Sequence, residues 1–182
     1  MEFALDLLVS AISMAVIAQY SWSMNGHFSS RAMPRGAVVI AVVVLATTIT
    51  FLILQWALEQ PPAAALIGAA VQIGSLVLFW AAIRASRTAR LRLAFDEENP
   101  DSLVTEGPYR YLRHPFYLSY LIFWSGWTIA VWSPWAVVLL AVILAVYILA
   151  AKGEEQKFAN TAMAGEYQAY KQRTGFLWPR FR

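Results

Sequence analysis

Arg113 and His114 stand directly before Pro115, and this short run holds residue types that can bind an anion. A residue that precedes proline is disfavoured in the α region, whereas proline itself suits the first position of a helix. The sequence therefore predicts a helix that begins at Pro115, with a guanidinium and an imidazole at its N-terminus. It also predicts a turn upstream at Gly107-Pro108, because glycine tolerates positive φ and proline fixes its own φ. Free N–H groups and the helix dipole favour negative charge at the helix N-terminus, so this corner is a predicted seat for a carboxylate or a phosphate.

A second set of charged residues, Lys152, Glu154 and Glu155, follows a long apolar stretch. A carboxylate at such a place can hold an ammonium or a hydroxyl group, or accept a proton from a reacting group. The alternative is that the pair is the solvated surface of a helix. The sequence leaves open which of the two glutamates would contact a ligand.

The composition indicates a membrane protein. Of the 182 residues, 59% are hydrophobic and only 14% are charged, and eight are tryptophan. An ordinary soluble domain is far less apolar. The chain has no cysteine, which excludes disulfides and cysteine-ligated metals, and its two distant histidines offer no zinc set.

The predicted fold is all-α, a single polytopic membrane domain over residues 1–182 with five transmembrane helices and a C-terminal tail. The first apolar stretch, of about 20 residues, is long enough to cross a hydrocarbon core of roughly 30 Å. The expected spans are about 3–22, 36–58, 63–83, 115–131 and 134–151, followed by a tail at 152–182. The first stretch is predicted to be a retained helix rather than a signal peptide, because Glu2 and Asp6 replace the usual basic residues. Close helix contact is predicted for the third span from its small residues, Gly68, Ala69, Ala70, Gly74 and Ser75.

The basic residues predict an orientation. With five alternating spans, all 14 Lys and Arg residues fall on one side of the membrane. The positive-inside rule then places the N-terminus outside and the tail in the cytoplasm, and a bacterial inner membrane is the expected location. The Arg-rich run after the third span is interpreted as a contact with anionic lipids, not with nucleic acid.

Some aromatic and polar side chains allow two interpretations. Trp124, Trp127, Trp132 and Trp135 suit the aromatic belt at the membrane interface, although some could line a pocket. Gln72 is expected to hydrogen-bond across helices rather than to face a ligand. His27, in the first loop, is expected to be solvated.

The order of residues in the last 80 positions or so resembles the isoprenylcysteine carboxyl methyltransferase family of integral membrane enzymes. The matching residues are Leu103, Val104, Gly107, Pro108, Tyr109, Arg113, His114, Pro115, Phe116, Tyr117, Ser119, Glu154, Glu155, Gly165, Tyr167, Tyr170 and Pro179. The first 100 residues match only in being membrane helices.

The resemblance implies S-adenosylmethionine as the cofactor, enclosed by the Arg-His-Pro region and by a tail that acts as a lid. The residues implied to bind the cofactor are Leu103, Val104, Tyr109, Arg113, His114, Pro115, Tyr117 and Glu154. The predicted catalytic residues are Lys152, as a partner for an acceptor carboxylate in place of an arginine that many members carry, and Glu155, as a candidate base for an amine or thiol acceptor. The substrate would be a lipophilic acceptor that enters from the bilayer.

The acceptor is less well defined by the sequence. The family's type activity is carboxyl O-methylation of an isoprenylated cysteine, and this is the leading expectation. Many members carry an arginine four residues before the Glu pair, where this chain has Ala150. N- or S-methylation of a lipid or small apolar molecule is the alternative, and a non-enzymatic scaffold or transporter subunit is the alternative of another class.

Overall fold

The computed structural model describes residues 2–26, 35–87, 103–159 and 161–181. Six α-helices lie in these ranges: α1 (Glu2–Gly26), α2 (Arg35–Ala57), α3 (Pro62–Ala85), α4 (Pro115–Val131), α5 (Pro134–Ala159) and α6 (Ala164–Arg173). His27 and most of the Arg-rich and acidic connection between α3 and α4 lie outside the described residues. Within the described ranges the fold is all-helical, as expected, and an isolated bridge between Leu112 and Gly175 is the one strand-like pairing.

Four of the described helices are long and apolar enough to cross a membrane. They cover Glu2–Ser23, Gly36–Ala57, Pro62–Ala85 and Pro134–Phe158. The fifth expected span, α4, has 17 residues, which corresponds to roughly 26 Å at 1.5 Å per residue. It is shorter than the other four, and it contains one glycine and two serines, Gly126, Ser119 and Ser125.

The centre of the fold is the packing of α3 against α4, the most extensive contact between any two described helices. A Cβ atom on Gly68 would lie 2.4 Å from the Gly126 carbonyl oxygen, and one on Gly126 would lie 2.8 Å from the Gln72 nitrogen. The two backbones therefore approach as closely as glycine permits, which confirms the expected role of Gly68. Gly74, also expected to support close contact, has nothing within 4 Å of the position its Cβ would take.

Polar side chains connect α1 to α3 inside the bundle. The Ser13 hydroxyl donates to Gln72 Oε1 at 2.7 Å, and the hydroxyls of Tyr20 and Ser75 lie 2.8 Å apart. All of these except Tyr20 are fully buried. Gln72 thus hydrogen-bonds across helices, as the sequence predicted, and the pairs fix α1 in rotation about its axis.

The interfacial interpretation of Trp124 and Trp127 is wrong. Both indoles are fully buried and stack on each other with ring centroids 5.8 Å apart, and Phe51 of α2 packs against both. Trp132 and Trp135, at the turn between α4 and α5, are exposed as a belt position requires. The two buried indoles face inward because α4 is enclosed by neighbouring helices and has little surface left for lipid.

The helix that follows this turn does not end where its apolar stretch ends. α5 continues beyond 151 to Ala159 and carries Lys152, Glu154 and Glu155. The two glutamates therefore lie on the same continuous helix that passes through the bundle. The separate tail begins only after this helix, with α6.

Candidate functional site

A tight corner in the backbone brings the Arg-His-Pro run to the start of α4. Gly107 has a φ of 56°, a value that glycine adopts without strain, and it begins a turn of 3-10 helix, Gly107–Arg110. His114 has a φ of −123° and precedes the first residue of α4, Pro115. The predicted turn and the predicted helix start are both confirmed.

The Glu155 carboxylate is the centre of the site. The Arg113 Nε donates to its Oε1 at 2.6 Å, and the Lys171 Nζ lies 2.8 Å from its Oε2. The His114 Nε2 is a third partner, 3.2 Å from Oε1. The carboxylate is only 10% exposed, so these three nitrogen groups replace the solvation that burial removes.

Glu154 has a different environment one residue earlier on α5. The Tyr117 hydroxyl donates to its Oε1 at 2.7 Å, and the His114 Nδ1 lies 3.5 Å from its Oε2. Neither Arg113 nor Lys171 pairs with it within the described residues, and its side chain is 30% exposed. Glu154 is thus the more exposed of the two carboxylates and has fewer cationic partners than Glu155.

His114 lies between the two carboxylates. Burial disfavours its charged form, but hydrogen bonds and charges from Glu154 and Glu155 outweigh this and raise the pKa of the imidazole above its ordinary value of 6.5. The ring packs edge-on against Phe176 at 5.0 Å. The imidazole therefore favours its protonated form more than a free histidine does, and it can donate to both glutamates at once.

The segment after α6 is attached to the same corner through its backbone. The Arg113 N–H donates to the Gly175 carbonyl at 2.9 Å, and the Gly175 N–H donates to the Tyr111 carbonyl at 3.0 Å. The Arg113 side chain adds a bond from Nη1 to the Thr174 carbonyl at 2.6 Å. Tyr170 closes the arrangement, since its hydroxyl donates to the Tyr109 carbonyl at 2.7 Å.

The structure brings together five of the ten residues predicted for the site: Arg113, His114, Tyr117, Glu154 and Glu155. Pro115 is buried directly beside them as the first residue of α4, and Tyr109 is buried and receives the Tyr170 bond on its carbonyl. Val104 packs against an apolar cluster that includes Tyr109, and Leu103 is half-buried. Leu103 and Val104 lie outside the charged cluster, which consists of Arg113, His114, Glu154, Glu155 and Lys171.

Lys152, predicted to be catalytic, is placed on the exposed surface of α5. Within the part of the chain that the structure describes it forms no ion pair with either glutamate. The anion bound by Arg113 in this structure is the Glu155 carboxylate. The predicted anion-binding site at the start of α4 is therefore occupied by a side chain of the protein itself.

Sequence reasoning missed Lys171, Thr174 and Phe176. Lys171 follows Tyr167 by four residues on α6, so the two share a helix face, and its Nζ lies 6.0 Å from the Tyr167 ring. That spacing is the signal that could have identified it. Thr174 acts through its backbone carbonyl, which leaves no trace in the sequence.

An open cleft with a volume of about 630 Å³ adjoins this charged cluster. Such a volume is typical of small-molecule sites, which range over roughly 300–1,000 Å³. Its lining residues are Arg113, Lys171, Thr174, Gly175, Phe176, Leu177, Trp178, Pro179 and Arg180. The cleft therefore offers cations and apolar surface together, next to the carboxylates of α5.

Comparison with known proteins gives one family. The family model for phospholipid methyltransferase matches residues 63–164, more than half of the chain. This family is one of the integral membrane methyltransferases that resemble the isoprenylcysteine carboxyl methyltransferases, so the resemblance expected from the motifs is confirmed. No curated protein matches the chain.

Proposed function

Because this chain belongs to the phospholipid methyltransferase family, we propose that it transfers a methyl group from S-adenosylmethionine to an amine carried by a lipid. Family membership supports methyl transfer to a lipid-related acceptor. The pairing of the cations carries the choice of an amine, because Arg113 and Lys171 both pair with Glu155 and neither is left for an acceptor carboxylate.

The donor set of the site fits the cofactor. S-adenosylmethionine carries an ammonium, a carboxylate and a sulfonium, so it needs an acidic group, a basic group and apolar or aromatic faces. Glu154 would hold the ammonium, and the cationic lining of the cleft would attract the carboxylate. Aromatic rings adjoin both, with Tyr147 5.5 Å from Tyr117 and Phe176 beside His114. When bound, the cofactor supplies an electrophilic methyl group and leaves as a neutral thioether.

The charges of the site favour an amine over a carboxylate as the acceptor. A carboxylate acceptor needs a cation near the methyl group, but Arg113 and Lys171 both pair with Glu155. Lys152 is exposed on α5 and does not join them.

Ala150 supports the same choice. At this position many relatives of the isoprenylcysteine type carry an arginine, whereas here the methyl side chain is fully buried in the apolar core together with Tyr147 and Ala151. The core leaves no room at this position for a guanidinium without repacking. The group implied to bind an acceptor carboxylate is therefore replaced by apolar packing.

Methyl transfer asks the protein mainly to align the acceptor and to exclude water. Glu154 and Tyr117 would orient the donor side of the site, and Phe176 and the segment after α6 would cover it. An amine must lose its proton before its lone pair can attack, so turnover should depend on the fraction of neutral amine. Glu155 fits a role in holding Arg113, His114 and Lys171 better than a role as base, because three nitrogen partners already occupy it.

We further propose that the charged cluster faces the cytoplasm, with α4 as the fifth span. The distribution of all 14 basic residues on one side of five alternating spans supports this orientation. Added S-adenosylmethionine should therefore support methylation in sealed inside-out membrane vesicles and not in right-side-out ones.

Glu154→Gln is expected to weaken binding of S-adenosylmethionine by about 10- to 150-fold, because a charge-assisted hydrogen bond contributes roughly 1.5–3 kcal/mol. Calorimetric titration of the detergent-purified protein measures this directly. Glu106→Gln, at an exposed site before the 3-10 turn, is the matched control and should bind as the parent does. Absence of binding by the parent chain would instead favour the scaffold interpretation.

With labelled S-adenosylmethionine, an amino phospholipid is expected to be methylated, and the rate should rise with pH until the amine is deprotonated. Isoprenylated cysteine and an apolar thiol, offered in parallel, test the two other acceptor classes. Lys152→Ala should leave amine methylation nearly unchanged. Methylation of the isoprenylated cysteine alone, with a raised apparent acceptor constant in Lys152→Ala, would show that the acceptor is a carboxylate.

A further inference from the structure

We propose that Lys171 is a positioning residue, which fixes α6 to α5 through Glu155 and so leaves Glu154 as the carboxylate that is open to a ligand. This inference rests on the proposed function for the identity of the ligand, but its geometry stands apart from it. The spacing of Lys171 from Tyr167 does not define its role, which follows from the contacts of its side-chain nitrogen and its backbone carbonyl.

Lys171 contributes both its side chain and its backbone. The Nζ lies 2.8 Å from Glu155 Oε2, and the backbone carbonyl accepts a bond from Arg113 Nη1 at 3.3 Å. Lys171 thereby contacts both the Glu155 carboxylate and the Arg113 guanidinium. Since Nζ takes Oε2, Arg113 and His114 share the other oxygen, Oε1.

Several charged groups surround the His114 imidazole. Two carboxylates, Glu154 and Glu155, face His114 from α5, and Arg113 precedes it in the chain. From α4 the neighbour is the Tyr117 ring, and from the segment after α6 it is the Phe176 ring. Lys171 is a second cation in contact with this cluster, through Glu155. It reduces the field of Glu155 at the imidazole, so its removal should draw the His114 proton more strongly toward Glu155 and bind it more tightly.

The test is the titration of His114 by NMR. The chain has two histidines, so His27→Gln leaves a single imidazole, which can be labelled and followed against pH in detergent. In this background Lys171→Met should raise the pKa of His114 by about 0.5–1 unit. Arg173→Met removes the same charge from an exposed position on α6 and should shift the pKa much less, and Lys171→Arg should restore the parent value.

Cofactor binding gives a second measurement. Lys171→Met should raise the KM for S-adenosylmethionine about tenfold while kcat at saturating cofactor stays within about threefold, and Lys171→Arg should recover most of the affinity. Lys171 is about one-third exposed, so its removal leaves the fold intact. Equal His114 shifts in Lys171→Met and Arg173→Met would overturn the inference. A parent chain that binds no S-adenosylmethionine would refute the proposed function alone, because the titration needs no cofactor.

Discussion

Gly68→Leu is expected to prevent formation of the stable helical bundle, whereas Gly74→Leu should be tolerated. The Gly68 Cβ position lies 2.4 Å from the Gly126 carbonyl oxygen and 2.6 Å from both the nitrogen and the Cβ of Ala130. These are atoms of the facing helix near its backbone, which cannot rotate away as a flexible side chain would. α3 and α4 would have to separate, and the cost should exceed the roughly 1–3 kcal/mol that is typical of overpacking.

The measurement is the yield of monodisperse protein in detergent, followed by the midpoint of its thermal unfolding. Gly74→Leu is a matched control, because it adds the same side chain to the same helix at a position with nothing within 4 Å. If the two variants were equally stable, the close approach of α3 and α4 would not be what holds the bundle together.

Glu155→Gln is expected to abolish measurable binding of S-adenosylmethionine and to release α6 from the site. The substitution leaves Arg113 and Lys171 facing a neutral amide, and Arg113 is only 10% exposed. Removing one partner of a buried ion pair typically costs about 3–5 kcal/mol, which corresponds to a loss of more than 100-fold in affinity. The effect should be larger than that of Glu154→Gln, because Glu155 has more partners.

Chymotrypsin can report the release of α6, since Tyr167 and Tyr170 are buried in the parent. We expect fast cleavage at these tyrosines in Glu155→Gln and slow cleavage in the parent. Glu166→Gln, which changes an exposed carboxylate on α6 itself, should behave as the parent. Parent-like protection and cofactor affinity in Glu155→Gln would mean that this carboxylate does not organise the site.

Local backbone rules made part of the site predictable. Proline and glycine act on their own dihedral angles and on those of the residue before them, so the turn at Gly107 and the helix start at Pro115 followed from the sequence. The meeting of Arg113 with the Glu pair did not follow from such rules. It was expected only because the order of residues resembled a known family.

The remaining contacts depend on three-dimensional packing that leaves no local pattern. Arg113 reaches the Thr174 carbonyl and Gly175 pairs with Tyr111 across about 60 residues of chain, and backbone partners have no side-chain signature. The burial of Trp124 and Trp127 also could not be predicted from the local sequence. An indole suits both an interface and a core, and only the arrangement of the neighbouring helices decides which of the two it occupies.

Because α5 continues without a break from the membrane span into the site, the geometry of the site depends on the thickness of the bilayer. Glu154 lies twenty residues beyond Pro134 on one helix, about 30 Å along its axis, which equals the thickness of a typical hydrocarbon core. A helix adapts to a thinner or thicker bilayer mainly by tilting. Tilting of α5 moves both glutamates relative to Arg113 at the start of α4. Lipids that never enter the cleft thereby contribute to the distance between the charges that form it.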